Sequence, residues 1–140
     1  RAGFEMALQY CHERKQGGRK LIDHQLTRYR LGDMLRRVEL CRSVARRSLA
    51  YARLSPLTHP YVTAAGKVTV TQEAMKVVDE AFQLFGGNGT SREYPIEKLY
   101  RDTRVALIED GENYVMARLP GVEVRGLLAE QLYAEGWAQN

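Results

Sequence analysis

Between Asp23 and Arg53, apolar side chains return at every third or fourth position: Leu31, Met34, Leu35, Val38, Cys41, Ala45, Leu49 and Ala52. That rhythm follows the turn of an α-helix and gathers the apolar groups on one buried face. A helix of this span is about 45 Å long at 1.5 Å per residue. The arginines Arg28, Arg36, Arg46, Arg47 and Arg53 fall largely off the stripe, on the face left to solvent. Such a helix needs partners to cover that one face.

The flanking sequence supplies them. Phe4, Ala7, Leu8 and Cys11 sit at helical spacing from Phe4 to about Arg14, and Gly17-Gly18 end that run. Ser55-Pro56 and His59-Pro60 mark a loop between Leu54 and Pro60. A third helix is expected from about Val62 to Phe85, with Ala65, Val68, Met75, Val78, Phe82 and Phe85 on its packing face. The small residues Ala64, Ala65 and Gly66 let a neighbouring helix come close. Gly86-Gly87 is a C-cap signal, since glycine accepts the left-handed cap conformation. Pro95 opens a fourth helix reaching about Arg104, where its missing N–H costs nothing. A turn at Asp110-Gly111 leads to a helical piece from Asn113 to Leu119, Pro120-Gly121 break it, and Glu123 to Tyr133 form a last short helix. No internal repeat and no strand pattern stands out. Val68-Thr69-Val70-Thr71 is β-prone, but its helical context overrides it. The expected fold class is all-α: an antiparallel up-and-down four-helix bundle with extra short C-terminal helices. The 140 residues fit one domain. The chain begins inside a helix without Met or cap, so it reads as a fragment of a longer polypeptide with its first helix truncated.

Bulk chemistry narrows the function. The net charge of +4 comes from arginine concentrated between Arg28 and Arg53. Such a patch either binds phosphate or nucleic acid or is a solvated helix face, and a surplus this small favours the second. No run of about 18 apolar residues suggests a membrane span. Cys11 and Cys41 lack a CxxC neighbour and read as free thiols of a reducing compartment, the cytoplasm or the mitochondrial matrix. His12, His24 and His59 have no metal-ligand spacing, so no metal is expected.

Three local clusters could carry chemistry. The turn Phe85-Gly86-Gly87-Asn88-Gly89 permits close approach of a ligand, yet it ends a helix and so is neither a P-loop nor a dinucleotide fingerprint; by itself it reads first as a structural cap. Glu13-Arg14-Lys15 with Arg19-Lys20 is either a solvent-facing charge run or an arginine fork for a pyrophosphate. Glu109-Asp110-Gly111-Glu112 sets three carboxylates in four residues. It is either an exposed acidic turn whose charge suits the following helix dipole or a general base able to take a proton next to a carbonyl.

Taken in order the clusters form a pattern. Tyr10-Cys-His-Glu-Arg-Lys-Gln-Gly-Gly18 is followed by Ile22-Asp-His-Gln25, Leu31-Gly-Asp-Met34, Ala65-Gly-Lys67 and Phe82-Gln-Leu-Phe-Gly-Gly-Asn-Gly89. Glu93-Tyr-Pro-Ile-Glu-Lys98, Arg101-Asp-Thr-Arg104 and the acidic turn complete it. From Phe4 to Leu119 this resembles the C-terminal helical domain of the acyl-CoA dehydrogenases, which carries ERKxFG, HxQ, LADM, QxxGGxG, EYPxEK, RDA(R/K) and YEGT in that order. The resemblance implies an FAD enzyme, fatty acid metabolism, and a homo-oligomer, dimer or tetramer. A base takes the α-proton of an acyl-CoA thioester while the β-hydride passes to the flavin, which an electron-transfer flavoprotein reoxidises. It implies that Arg14 grips the FAD pyrophosphate, often across a subunit interface, with Gln16 beside it. His24 and Gln25 lie near the adenosine half. Gln83 with Gly86 and Gly87 contacts the dinucleotide. Asp110 takes the place of the catalytic glutamate, with Glu109 as the alternative base. No nucleic acid and no membrane span belong to this picture.

The departures matter. Gly17 replaces the phenylalanine of ERKxFG and removes a packing wall near the flavin. Asp110 is shorter than glutamate by one methylene, and a misplacement of about 1 Å costs on the order of 10²-fold in rate. Glu112 and Tyr114 replace a threonine and a glutamine that help hold the flavin, and a carboxylate near a pyrophosphate repels it. These changes keep open a second reading, a catalytically inactive relative acting as a structural or assembly subunit. Under either reading the isolated domain is expected to be inactive.

Overall fold

A computed structural model describes residues 1–54 and 61–121. Helix α1 spans Ala2–Glu13, α2 Gln25–Leu54, α3 Tyr61–Phe85 and α4 Ile96–Val105. A fifth helix, α5, covers residues 113–121. The Leu54–Pro60 loop beyond its first residue, His59 and the expected helix at Glu123–Tyr133 lie outside the described residues. The all-α expectation holds, with one small addition. Strands β1 (Lys15–Gln16) and β2 (Arg19–Lys20) pair antiparallel. Gly17 and Gly18 take φ values of 62° and 79° between them. Two consecutive positive-φ residues are what a two-residue hairpin turn requires, so the glycines that end α1 also build a ribbon.

Cross-helix contacts give the helix directions. Gly66 lies against Ser48, the Cys41 thiol reaches the Val70 carbonyl oxygen at 3.6 Å, and Arg37 pairs with Glu73. Going up α2 means going down α3, so the two are antiparallel. Gly3 packs on Val78 and Tyr10 stacks on Phe85, so α1 runs parallel to α3. On α4, Tyr100 meets Phe82 and Leu99 meets Gly3. Helix α3 touches α1, α2 and α4 and is the hub of the domain.

The core gathers at one half of this assembly. Ala7, Tyr10 and Cys11 of α1 meet Leu31, Met34 and Val38 of α2, Val77, Val78, Ala81 and Phe85 of α3, and Ile96 of α4. Met34, Ile96 and Cys11 are the largest side chains wholly withdrawn from solvent. Truncating a buried Met or Ile to Ala costs about 2–5 kcal/mol. The stripe expected on α2 is buried only in its first half. Leu35 is 46% exposed and Leu49 66% exposed. Leu35 lies at the edge of the buried arc formed by Leu31, Met34 and Val38, while for Leu49 the reason is length: α1 has 12 residues against 30 in α2, so α1 covers only part of its neighbour. On α3 the expected face is also displaced. Val77, Val78, Ala81 and Phe85 are buried, whereas Ala65, Val68, Met75 and Phe82 are half-buried. A helix covered from three sides has no single stripe to read.

Close approach of α2 and α3 depends on Gly66, where an added Cβ would run into the Ser48 hydroxyl. The β-prone Val68–Thr71 run is helical within α3, as its context implied, and its hydroxyls bond back along the helix. Thr69 donates to the Ala65 carbonyl at 2.8 Å and Thr71 to the Lys67 carbonyl at 2.9 Å. The arginine-rich face of α2 is largely engaged. Arg36 and Arg37 share Asp33, Arg37 also reaches Glu73, Arg42 pairs with Glu39, and Arg30 lies 3.8 Å from Glu80. Cys11 is buried, Cys41 half-buried, and both are free thiols. Burial pushes the Cys11 thiol above its usual range. Burial does the same for Cys41, and the Glu73 carboxylate adds to it. Among the described residues, no helix is long and apolar enough to cross a membrane, and no cluster of His, Cys, Asp and Glu could hold a metal ion.

Candidate functional site

The residues singled out in the sequence fall at two places, joined by α3. The first is where α1 ends, α2 begins and α3 ends. Tyr10 and Phe85 stack with ring centroids 4.1 Å apart, and Tyr94 meets both edge-on at 5.9 and 5.4 Å. The Tyr10 hydroxyl donates to the Phe85 carbonyl at 3.4 Å and accepts from the Asn88 amide at 2.9 Å. This ring cluster pins the glycine turn to the end of α1. Gly86 has φ 58°, the left-handed cap that closes α3. Gly89 is buried against Phe82, where an added Cβ would lie 2.9 Å from a carbonyl oxygen. Above Gly86 and Gly87, by contrast, an added Cβ would meet nothing within 4 Å. The turn is therefore packed from below and open from above, and Gln83 is exposed beside it.

Arg14 follows α1 directly and its backbone is extended, which turns the chain into the hairpin. Its carbonyl accepts from the Leu21 N–H at 2.8 Å. His24 lies at the start of α2, and its Nε2–H donates to the Gln16 carbonyl at 3.0 Å in the tautomer this contact implies. That bond ties the hairpin to α2. The polar tip of His24 is thus occupied in holding Gln16, and Gln25 is exposed next to it. Arg28 donates to the Asp23 carbonyl at 3.1 Å and fastens the same corner. Gly17, where the family motif has phenylalanine, takes a positive φ in this hairpin.

The hairpin is an unbalanced positive surface. Lys15 stands opposite Lys20 and Gln16 opposite Arg19. All four residues and Arg14 are exposed. Among the described residues no carboxylate pairs with Arg14, Lys15, Arg19 or Lys20. Like charges facing each other across a ribbon destabilise it until an anion lies between them. A cationic ribbon beside an open glycine turn and exposed amides is a donor set suited to a pyrophosphate-containing dinucleotide.

The second place is the acidic turn after α4. Glu109 and Asp110 are exposed, and Asp110 has φ 51°, the one non-glycine residue with positive φ among the described residues. Aspartate tolerates this conformation better than most residues do, yet it remains uncommon. Gly111 follows at φ 95°, and an added Cβ there would lie 2.6 Å from the Met116 sulfur. Glu112 opens α5, its Oε2 accepting the N–H groups of Tyr114 at 2.8 Å and Val115 at 3.2 Å. That carboxylate is therefore a helix cap. It offsets the dipole of α5.

Sequence reasoning missed what holds this turn. Lys67 of α3 donates to the Gly111 carbonyl and to the Asn113 side-chain oxygen, each at 2.7 Å. The Asn113 amide donates to the Thr71 hydroxyl at 2.9 Å. Asn113 is only 5% exposed. The available signal was the Ala65-Gly66-Lys67 triplet, in which a lysine follows a close helix contact. The two places are far apart. Thr71 and Phe85 are separated by about 21 Å along α3 at 1.5 Å per residue. The structure brings Arg14, Gln16, His24, Gln25, Gln83, Gly86 and Gly87 to one end of the bundle and leaves Asp110 and Glu109 at the other.

A family model for the C-terminal domain of acyl-CoA dehydrogenases matches residues 1–121. The chain belongs to the acyl-CoA dehydrogenase family. The short-chain-specific acyl-CoA dehydrogenase of Clostridium acetobutylicum is 34% identical over 112 residues, covering 80% of this chain and 29% of that protein. Cyclohexane-1-carbonyl-CoA dehydrogenase of Geobacter metallireducens is 29% identical over the same length and with the same coverage. Among solved structures, butyryl-CoA dehydrogenase from Megasphaera elsdenii superposes with a TM-score of 0.81 at 30% identity, covering 88% of this chain and 32% of that one. The chain thus spans less than a third of these acyl-CoA dehydrogenases and corresponds to their C-terminal helical domain.

Proposed function

We propose that this chain is the FAD-contacting and oligomerising domain of an enzyme that introduces a double bond between the α and β carbons of an acyl-CoA thioester. Asp110 is the proposed base, with Glu109 as the alternative. Its carboxylate is exposed on a left-handed residue, where it receives the α-proton of the thioester. FAD, when bound, supplies the hydride acceptor for the β position. Arg14, Gln16, Gln25, Gln83 and the backbone at Gly86 and Gly87 would hold it, with His24 fixing Gln16. An electron-transfer flavoprotein is the proposed partner that takes the electrons onward.

The observation that carries the reading is the pairing of an open glycine turn with an uncompensated cationic ribbon at one end of α3 and an exposed, conformationally selected carboxylate at the other. The distance between them supports a homo-oligomer, dimer or tetramer, in which one copy's ribbon serves a dinucleotide that reaches the acidic turn of another copy. The remainder of the enzyme, which covers the flavin and shapes the acyl pocket, belongs to the longer polypeptide of which this domain is part.

The test is the visible spectrum of the polypeptide that contains this chain, before and after anaerobic addition of a panel of acyl-CoAs. Flavin absorbance that bleaches with one of them is expected. A flavin band that no acyl-CoA bleaches, or no flavin band at all, overturns the reading in favour of the non-catalytic relative.

A further inference from the structure

We infer that Lys67 is a positioning residue for the proposed base, holding the turn that presents Asp110 from the side of α3. The inference rests on the reading of Asp110 as base and deepens it. Neither Glu109 nor Asp110 has a hydrogen-bonding or ionic partner for its side chain among the described residues. The place of the Asp110 carboxylate is therefore set by its backbone. Much of that backbone is bonded only within its own segment. Ile108 and Glu109 donate to the Val105 carbonyl at 2.8 and 3.0 Å, and Asn113 donates to the Leu107 carbonyl at 3.1 Å. These bonds shape the turn without locating it on the bundle.

Location comes from α3. The Lys67 ammonium spends two of its three protons on the turn, one on the carbonyl of Gly111, the residue after Asp110, and one on Asn113. Bonds from a charged donor are about twice as strong as neutral ones. Asn113 is fixed in turn by Thr71, whose own hydroxyl proton goes to the Lys67 carbonyl. The three side chains form a linked set around the buried Asn113, with Lys67 and Thr71 half-buried. The lysine has no carboxylate partner among the described residues, so its charge is committed to this turn.

The experiment compares Lys67→Met, Lys67→Arg and Asp110→Asn in the full-length flavoprotein. Lys67→Met keeps the stem and removes the donors. It is expected to lower kcat by about 10²-fold, the cost of roughly 1 Å of misplacement, with KM changed by less than about twofold. Lys67→Arg retains a cationic donor and is expected to recover most of that loss. Hydrogen exchange at residues 107–113 should rise by about tenfold in Lys67→Met while α2 and the second half of α3 stay protected. Flavin content should be unchanged. Full kcat in Lys67→Met beside a crippled Asp110→Asn overturns the positioning role and leaves the base standing. Full kcat in Asp110→Asn removes the base and the inference with it. Should Lys67→Met fail to fold, Lys67→Gln donates to one of the two acceptors and is expected to give a partial loss. Wild-type kcat and exchange in Lys67→Gln overturn the proposal equally well.

Discussion

The two ends of α3 are held by different physics. At its C-terminal end the glycine turn sits on stacked and edge-on rings, Tyr10, Phe85 and Tyr94, and the Tyr10 hydroxyl ties it to α1. At its N-terminal half the acidic turn is tied by a lysine, an asparagine and a threonine. Apolar packing is non-directional and makes a rigid floor, which suits a surface that presents backbone and open space to a large ligand. Charge-assisted bonds are directional and few, which suits a turn that has to aim one carboxylate. Damage at the first end should therefore appear as lost folding and lost cofactor, and damage at the second as lost rate.

The sharpest break of this contrast is Asp110→Asn. It removes the proposed base and leaves a near-isosteric side chain on the same left-handed residue. Turnover of the full enzyme is expected to fall by about 10³-fold, within the range of general-base contributions. Flavin content and thermal stability should match the wild type. A parallel loss of flavin would show that the acidic turn also holds the cofactor and that the two ends act together. Next in size is Tyr10→Ala. It removes a buried ring against Phe85 and the partner of Asn88, at a cost of about 3 kcal/mol by comparison with other aromatic truncations. Thermal unfolding and flavin retention should both suffer. A destabilised protein that keeps its flavin would mean that the ring cluster supports the core alone.

The two ends were unequally legible. The helices, the C-cap at Gly86 and the close approach at Gly66 could be read because periodicity and glycine placement are local signals. The ordered motifs gave the family for the same reason. The hairpin was missed because Gly17-Gly18 were read as a stop, and a stop and a tight turn use the same residues. The exposure of Leu49 was missed because burial depends on how far the neighbouring helix extends, which no residue in α2 records. The role of Lys67 was out of reach because it joins residues more than forty positions apart through a turn whose shape is set by two consecutive positive-φ residues, Asp110 and Gly111. The part Glu112 plays as the cap of α5 is visible only once its side chain is seen on the Tyr114 and Val115 N–H groups.

A smaller effect is expected at Gly86. Gly86→Ala places a Cβ on a residue with φ 58°, where an L side chain costs roughly 1–2 kcal/mol. Nothing lies within 4 Å of that Cβ, so the loss is conformational rather than steric. The open face above the turn should feel it more than the core does. A modest fall in unfolding temperature with a larger fall in flavin affinity is the expected pair. Equal flavin affinity in Gly86→Ala would place the dinucleotide away from this turn and confine the first end to a structural role.

The smallest effect lies between the two ends, where charges brace α2 against α3. Lys76 first, and then Arg37, hold the Glu73 carboxyl below its usual range, with burial opposing them. Arg36 and Arg37 do the same for Asp33. A carboxyl whose value is lower in the folded than in the unfolded chain binds fewer protons when folded. Its stabilisation is therefore fully present above the unfolded value of about 4 and is lost as pH falls through the depressed folded value. These groups are partly open to solvent, and such pairs are worth roughly 0–1 kcal/mol each. Glu73→Gln should accordingly unfold at a slightly lower temperature than the wild type at pH 7, and the difference should close as the pH is taken from 5 to about 3. A difference that persists at low pH would mean that Glu73 matters through packing. The middle of α3 would then resemble its aromatic end more than its lysine-tethered one.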